Sequence, residues 1–321
     1  MGASKLAARL RPAALATAAW DAWQGFWFDE EAGARLRLFR GALGATLFVL
    51  YSIRALDLKL YFSESGIMPL STVPDVLPMD YRNSIFFHFP GDAALYAGTV
   101  VLLVSLAALA LGIFPRAAAI VALFTNVSFL HRDMAPSYGV DMISTFFLFY
   151  LCLADYRVHE VAAKQQRIEK GSVRAMLGSS ALRLTQIQLC IIYGFAGLDK
   201  VRGPQWWAGE ALWGVVSNVQ IARWDFSFLA HVPLLLVAGT YSTLAWEVYF
   251  PVLIWLRPAR KWMLAFGVAM HLGIAIVVNI PFFSAIMLSA YFVFLEESEA
   301  QALLRWLGSL ASRLRLSPAR R

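Results

Sequence analysis

The chain has 321 residues, 59% of them hydrophobic and only 15% charged, where an ordinary soluble domain carries about a quarter charged residues. With a mean hydropathy of +0.60, this composition excludes a soluble globular enzyme and points to a polytopic membrane protein. The net charge of +7 could serve a nucleic-acid binder, but the Lys and Arg residues cluster between apolar blocks, as in membrane proteins. Nucleic acid is therefore excluded as a partner and a lipid bilayer takes its place.

The elements can be read in chain order. Residues 1–35 are basic and Ala-rich, then aromatic (WDAWQGFWF), and are expected to form an interfacial amphipathic helix. The first span is expected at about Leu36–Leu56, with Arg40 and Arg54 near its ends, each able to snorkel toward an interface. A loop from about Asp57 to Asp92 follows, with more acidic than basic residues. The second span covers about Ala93–Phe114, Pro115-Arg116 makes a turn, and the third ends near Leu130. HRDMAPS turns the chain into a fourth span at about Tyr138–Tyr156. A basic connector then leads to the fifth span, about Ala181–Gly197, which runs into Lys200, a Gly-Pro break and two adjacent tryptophans, Trp206 and Trp207. The sixth span is expected at about Val232–Leu256, the last two at about Trp262–Asn279 and Pro281–Leu295. The tail, 296–321, reads as a basic amphipathic helix on the membrane surface.

The fold class is thus all-α: a transmembrane bundle of about eight spans over 36–295, with interfacial helices at both ends. An even count puts both termini on one side. The N-terminus, the connector, RPARK and the tail carry the Lys/Arg excess, so that side is cytoplasmic. The expected location is a bacterial inner membrane.

Ionisable groups inside spans are costly and mark sites by default. Asp141 near the outer end of span four shares its expected depth with Asp199 and Lys200 at the end of span five, so a Lys–Asp ion pair across two helices is plausible. Glu247 and His271 lie nearer the middle of antiparallel spans six and seven, where a carboxylate facing an imidazole would satisfy both. Tyr193 is seven residues before Lys200, two turns away on the same helix face. Each has a plainer reading: Lys200 as a snorkelling anchor, Asp141 as a helix cap, Glu247–His271 as a structural hydrogen bond, Trp206 and Trp207 as interface anchors. Cys152 and Cys190 sit inside apolar blocks, and no metal-ligand spacing occurs, so no metal is expected.

QIQLCIIYGFAGLDKVRGPQWWAGEALWGVVSN resembles the signature of the HTTM (horizontally transferred transmembrane) domain family, the membrane portion shared with vitamin K-dependent gamma-carboxylases. LFRGALG, YFSESGIMPL, SYGVDMISTFFLF, EVYFPVLIWLRPARK and HLGIAIVVNIPFFSAIMLSAYFVFL fit the same family in order, so the resemblance covers about Trp20 to Leu295. APSYG stands where the carboxylase has a catalytic histidine before a Tyr-Gly. The resemblance implies that Lys200 matches the lysine base that deprotonates a reduced quinone. Asp141 then becomes a second candidate catalytic residue, and Tyr193, Asp199, Trp206, Trp207, Glu247 and His271 candidate supporting or substrate-binding residues. A lysine base must be neutral near pH 7, which an apolar pocket favours and a neighbouring carboxylate opposes. Two functions follow as expectations: a carboxylase-like enzyme acting on a quinol or other lipid-soluble substrate, or a non-catalytic partner for a secreted peptide or a neighbouring membrane protein.

Overall fold

A computed structural model describes residues 12–28, 33–76, 78, 82–134, 136–154 and 173–315. The basic connector before 173 and the two chain ends lie outside the described residues. The principal helices are α1 (Pro12–Phe28), α2 (Gly33–Arg54), α3 (Asp92–Leu111), α4 (Pro115–Leu130), α5 (Gly139–Leu153), α6 (Val173–Arg202), α7 (Pro233–Leu253), α8 (Arg257–Val277), α9 (Pro281–Ala290) and α10 (Glu297–Arg315). No strand occurs among the described residues, only an isolated bridge between Ala222 and Val278.

The helices start and stop where local chemistry directs. Proline occupies the first turn of α4, α7, α8 and α9, where its missing N–H costs nothing. Helix α3 stops at Gly112, whose φ of +82° is the left-handed geometry a glycine tolerates. Four stretches are long and apolar enough to cross a bilayer: Gly33–Phe62, Asp92–Leu111, Met176–Arg202 and Arg257–Val277. Three shorter apolar helices, Pro115–Leu130, Gly139–Leu153 and Pro281–Phe294, pack among them. Large apolar side chains stay exposed around the outside, including Val100, Val104, Phe124, Phe195, Leu235, Val252 and Trp262. Contiguous exposure of that kind suits lipid, not water.

One core holds the bundle together. Leu36, Phe39, Leu43 and Leu47 of α2 are fully buried with Leu102, Leu106 and Leu109 of α3, Phe147 and Leu148 of α5, Phe250 of α7 and Met287 of α9. Close approach is set by glycine: a Cβ on Gly44 would lie 2.8 Å from the backbone nitrogen of Ala110, so α2 and α3 meet backbone to backbone there. A smaller cluster, Ala34, Leu38 and Ala300, seats the start of α10 on α2, where the Glu297 carboxylate accepts from Ala34 N at 2.7 Å and lies 3.4 Å from Arg35. Beyond that contact α10 exposes Trp306, Leu307 and Leu310. Helix α1 docks through Phe26 and Phe28, whose carbonyls accept from Arg183 and Ser179 of α6, and leaves Trp20 and Trp23 exposed.

Two arginines expected to snorkel turn inward instead. Arg40 is buried and donates to the Leu109 carbonyl near the end of α3. Arg54 folds onto Asp141. A guanidinium has five donors to satisfy, and free helix-end carbonyls or a carboxylate inside the protein do so without reaching water.

Candidate functional site

Helix α6 is longer than the expected fifth span because VRAMLGSS, expected as connector, joins it, and because it continues through Asp199, Lys200 and Val201 to Arg202 before Gly203-Pro204 breaks it. Lys200 therefore projects from the last turn of a continuous helix, and Tyr193 lies below it on the same α-helical frame. On the partner helix α7, Glu247 sits four residues before Pro251, so the proline withholds the backbone N–H that would have bonded the Glu247 carbonyl. What joins the two helices is small-residue packing. A Cβ on Gly197 would lie 2.8 Å from the nitrogen of Val248, and one on Gly194 would lie 3.1 Å from Cγ of Pro251. This Gly-x-x-Gly face lets the α7 backbone press against α6 one turn below Lys200.

The result is an ion pair. Lys200 Nζ lies 2.8 Å from Oε2 of Glu247, and the two side chains are 24% and 9% exposed. The ammonium also sits 5.2 Å above the ring centroid of Trp206, within cation–π range. Trp207 is turned outward and gives its indole N–H to the Val201 carbonyl. Asp199 is exposed and makes no ion pair among the described residues.

Below the pair lies a buried aromatic cluster. Tyr193 packs between Trp246 and Phe250, with ring centroids 4.7 and 4.5 Å away. Its hydroxyl lies 2.7 Å from His271 Nε2 on α8 and 2.8 Å from the hydroxyl of Tyr291, just past α9. The three side chains come from three helical elements, and Gly267 makes room for them. A Cβ there would lie 2.7 Å from Trp246 Cζ2 and closer still to the Tyr291 hydroxyl. Trp246 is fixed by donating to the Met263 carbonyl at 2.9 Å. His271 Nδ1 of this cluster has no hydrogen-bond partner among the described residues, nor has the buried Ser284 Oγ of α9.

Two expected pairings are redrawn. Asp141 does not meet Lys200. Its carboxylate takes the Arg54 guanidinium, accepts from Tyr138 N at 3.0 Å at the start of α5, and is approached by the Tyr51 hydroxyl at 3.4 Å. Tyr51 also bonds Asn126 of α4. Depth alone did not forbid the Lys–Asp pair. Tyr150 of α5 donates to Gln188 of α6 at 2.8 Å, and counting from that crossing places Asp141 about 13 Å and Lys200 about 18 Å toward the same end. The arginine on α2 reaches Asp141 first, and bidentate geometry favours it over an ammonium. Nor does Glu247 face His271 directly: Tyr193 occupies the imidazole, and Glu247 turns to Lys200. Tyr193 therefore joins the two groups that the sequence suggested as a pair.

Tyr291 stands at the end of an apolar run and carries no polar signal in sequence, and Arg54, expected to snorkel, is a partner of Asp141. Arg132 is a third residue whose role the sequence does not signal. This fully buried residue in the turn after α4 donates to the carbonyls of Phe62 and Met68 at 2.7 and 2.9 Å and lies 3.5 Å from Glu64, gathering the YFSESGIMPL segment. In sequence, HRDMAPS marks only a turn between two spans.

No family model, no curated protein and no solved structure matches this chain. Among the described residues no cluster of three or more His, Cys, Asp or Glu side chains could hold a metal ion.

Proposed function

We propose that this chain is an eight-span integral membrane protein of the HTTM kind, with both termini cytoplasmic in a bacterial inner membrane. On this reading it is a carboxylase-like enzyme whose base, Lys200, deprotonates a weakly acidic, lipid-soluble substrate such as a reduced quinone at the outer membrane face. The observation that supports this reading is the setting of the amine. Lys200 ends a long apolar helix, is a quarter exposed, and is held at 2.8 Å by a carboxylate that is itself 9% exposed. An amine so placed can meet a substrate arriving from lipid, and it acts as a base once the Glu247 carboxylate at 2.8 Å has taken its own proton. Asp141 has no part in this chemistry, because Arg54 and the start of α5 already occupy both its oxygens. The test supplies purified protein in lipid nanodiscs with a reduced naphthoquinol, oxygen, bicarbonate and a glutamate-containing peptide. Quinol consumption should exceed that of empty nanodiscs and should vanish in Lys200→Ala without loss of folded protein. Full consumption by Lys200→Ala would overturn the assignment.

A second reading, a non-catalytic partner for a secreted peptide or a neighbouring membrane protein, is favoured by a different observation. The segment beyond α6 exposes Trp207, Val219, Trp224 and Phe228, an apolar surface next to a lysine already neutralised by Glu247. This reading predicts stable co-purification with the product of a neighbouring gene. A pull-down recovering only lipid and detergent would count against it.

A further inference from the structure

Helix α10 has two unlike halves. Carboxylates fix its start. Glu297 accepts from Ala34 N at 2.7 Å and lies 3.4 Å from Arg35. Glu296 pairs with Arg260 at 2.8 Å, and Glu299 accepts from Glu296 N at 2.8 Å. Ala300 is fully buried, and Leu303 and Leu304 pack on the cluster it forms with Ala34 and Leu38 of α2.

The same face then runs on past the protein. Ala300, Leu303, Leu304, Leu307 and Leu310 keep the spacing of one apolar helix stripe. Yet Leu307 and Leu310 are 43% and 36% exposed, and Trp306 at the edge of the stripe is 55% exposed. Arg313 stands about 20 Å beyond Ala300 along the helix axis. No Asp or Glu follows Glu299 in the sequence, and Arg305 and Arg313 are both exposed. The seated half is acidic and the overhanging half is basic.

Position and charge decide what covers the overhanging face. Phe26, near the end of α1, meets Trp255 with ring centroids 5.7 Å apart, and Trp255 meets Phe294, just before α10, at 5.9 Å. Both helices therefore leave the bundle from one end. That end displays Trp20, Trp23 and Trp306, the residue type that gathers at the edge of a bilayer. Helix α10 is not among the stretches apolar enough to cross, so a stripe of this kind lies along the interface. A second copy would bring the same basic half, with Glu296, Glu297 and Glu299 already engaged, and like charges would meet. A negatively charged lipid surface has no such conflict.

We propose that the second half of α10, from Arg305 to Arg313, is a docking surface for the anionic phospholipid headgroups of the surrounding leaflet. Trp306, Leu307 and Leu310 enter the boundary between headgroups and acyl chains. Arg305 and Arg313 meet the phosphates, their stems reaching along the helix while the guanidinium groups stay at the charged layer. Apolar burial alone would accept any lipid; the arginines make negative charge the condition. This surface depends on the bundle lying in a bilayer and not on the role of Lys200.

The test uses the full chain carrying Cys152→Ala and Cys190→Ala, with a nitroxide attached at Leu307→Cys or, on the opposite side of the helix, at Ser309→Cys. Collision rates with oxygen, which concentrates in lipid, and with a water-soluble nickel chelate are read in two kinds of nanodisc. One is phosphatidylcholine alone, the other phosphatidylcholine with phosphatidylglycerol. In the anionic discs the Leu307→Cys label should lie in lipid and the Ser309→Cys label in water. An arginine near an anionic surface strengthens binding about fivefold, so Arg305→Gln/Arg313→Gln should lower the ratio of immersed to water-exposed label about 25-fold. Removing phosphatidylglycerol should have a similar effect. Equal immersion in both lipids overturns the proposal, as does no response to the double variant. A Leu307→Cys label in water in the anionic discs also overturns it, and so does one broadened by a neighbouring label in discs holding two copies, which would assign the face to a second copy. If the labelled proteins are poorly folded, trypsin reads the unmodified chain. Cleavage after Arg305 and Arg313 should be slower in the anionic discs, and equal rates overturn the proposal.

Discussion

The Lys200–Glu247 pair is asymmetric, and the asymmetry gives a sharp expectation. Lys200→Met removes the partner of a carboxylate that is only 9% exposed, while Glu247→Gln leaves an ammonium that is 24% exposed and close to water. Breaking a fully buried pair costs about 3–5 kcal/mol. Discounting for the exposed lysine brings Lys200→Met to about 2 kcal/mol, relieved in part if Glu247 takes up a proton. Glu247→Gln keeps the side-chain shape and a carbonyl acceptor, so it should cost about 1 kcal/mol or less. The double variant should resemble Glu247→Gln alone, which makes the coupling equal to the Lys200→Met cost, about 2 kcal/mol. Unfolding by SDS titration in mixed micelles, followed by tryptophan fluorescence, measures all four proteins on one scale. Equal costs for the two single variants, adding fully in the double, would show that no ion pair links these helices.

Other parts of the fold make their own predictions. Gly267→Ala would ordinarily favour a helix, but here the methyl group meets Trp246 and the Tyr291 hydroxyl, so the same SDS titration should read a loss of about 1–3 kcal/mol. Arg54→Met should destabilise by about 3 kcal/mol, because it leaves Asp141 buried without its cation. Arg54→Met/Asp141→Asn should recover much of that loss, and a double variant no more stable than the single would refute the pairing. Arg132→Met should free the segment between Phe62 and Met68, two of whose carbonyls it binds. Limited proteolysis should then cut there faster than in wild type, and an unchanged digestion pattern would show that the arginine does not hold the loop.

Much of the fold was legible because apolar length is a local property. The helices Gly33–Arg54, Asp92–Leu111, Gly139–Leu153, Pro233–Leu253 and Arg257–Val277 fall where blocks of apolar residues, bounded by Gly, Pro or charge, were read as spans. The boundaries erred where polarity misled. Residues 173–180 looked like connector, yet they form the first turns of α6, because Arg183 and Gln186 are satisfied inside the protein. Arg183 donates to the Phe26 carbonyl and to Gln186, which in turn donates to the Val293 carbonyl. The site was legible in its members and not in its pairings. Lys200, Glu247, Tyr193, His271 and Trp206 were all singled out as polar or aromatic groups at membrane depth, and all lie together.

The sequence by itself determined an all-helical chain with lengths suited to a bilayer, and it named the ionisable groups that such a chain must accommodate. Those conclusions follow from hydropathy and helix periodicity, which need no knowledge of neighbours. Only the tertiary structure decided which charge answers which. The Gly194–Gly197 face let α7 approach until Glu247, not Asp141, reached Lys200, and Arg54 of α2 claimed Asp141 first. Inside a low-dielectric bundle an ion pair depends on ångström-scale separation, and separations between helices are set by the packing of residues far apart in the chain. For the same reason Tyr291, unremarkable in sequence, joins the buried hydrogen-bonded cluster centred on Tyr193 below Lys200.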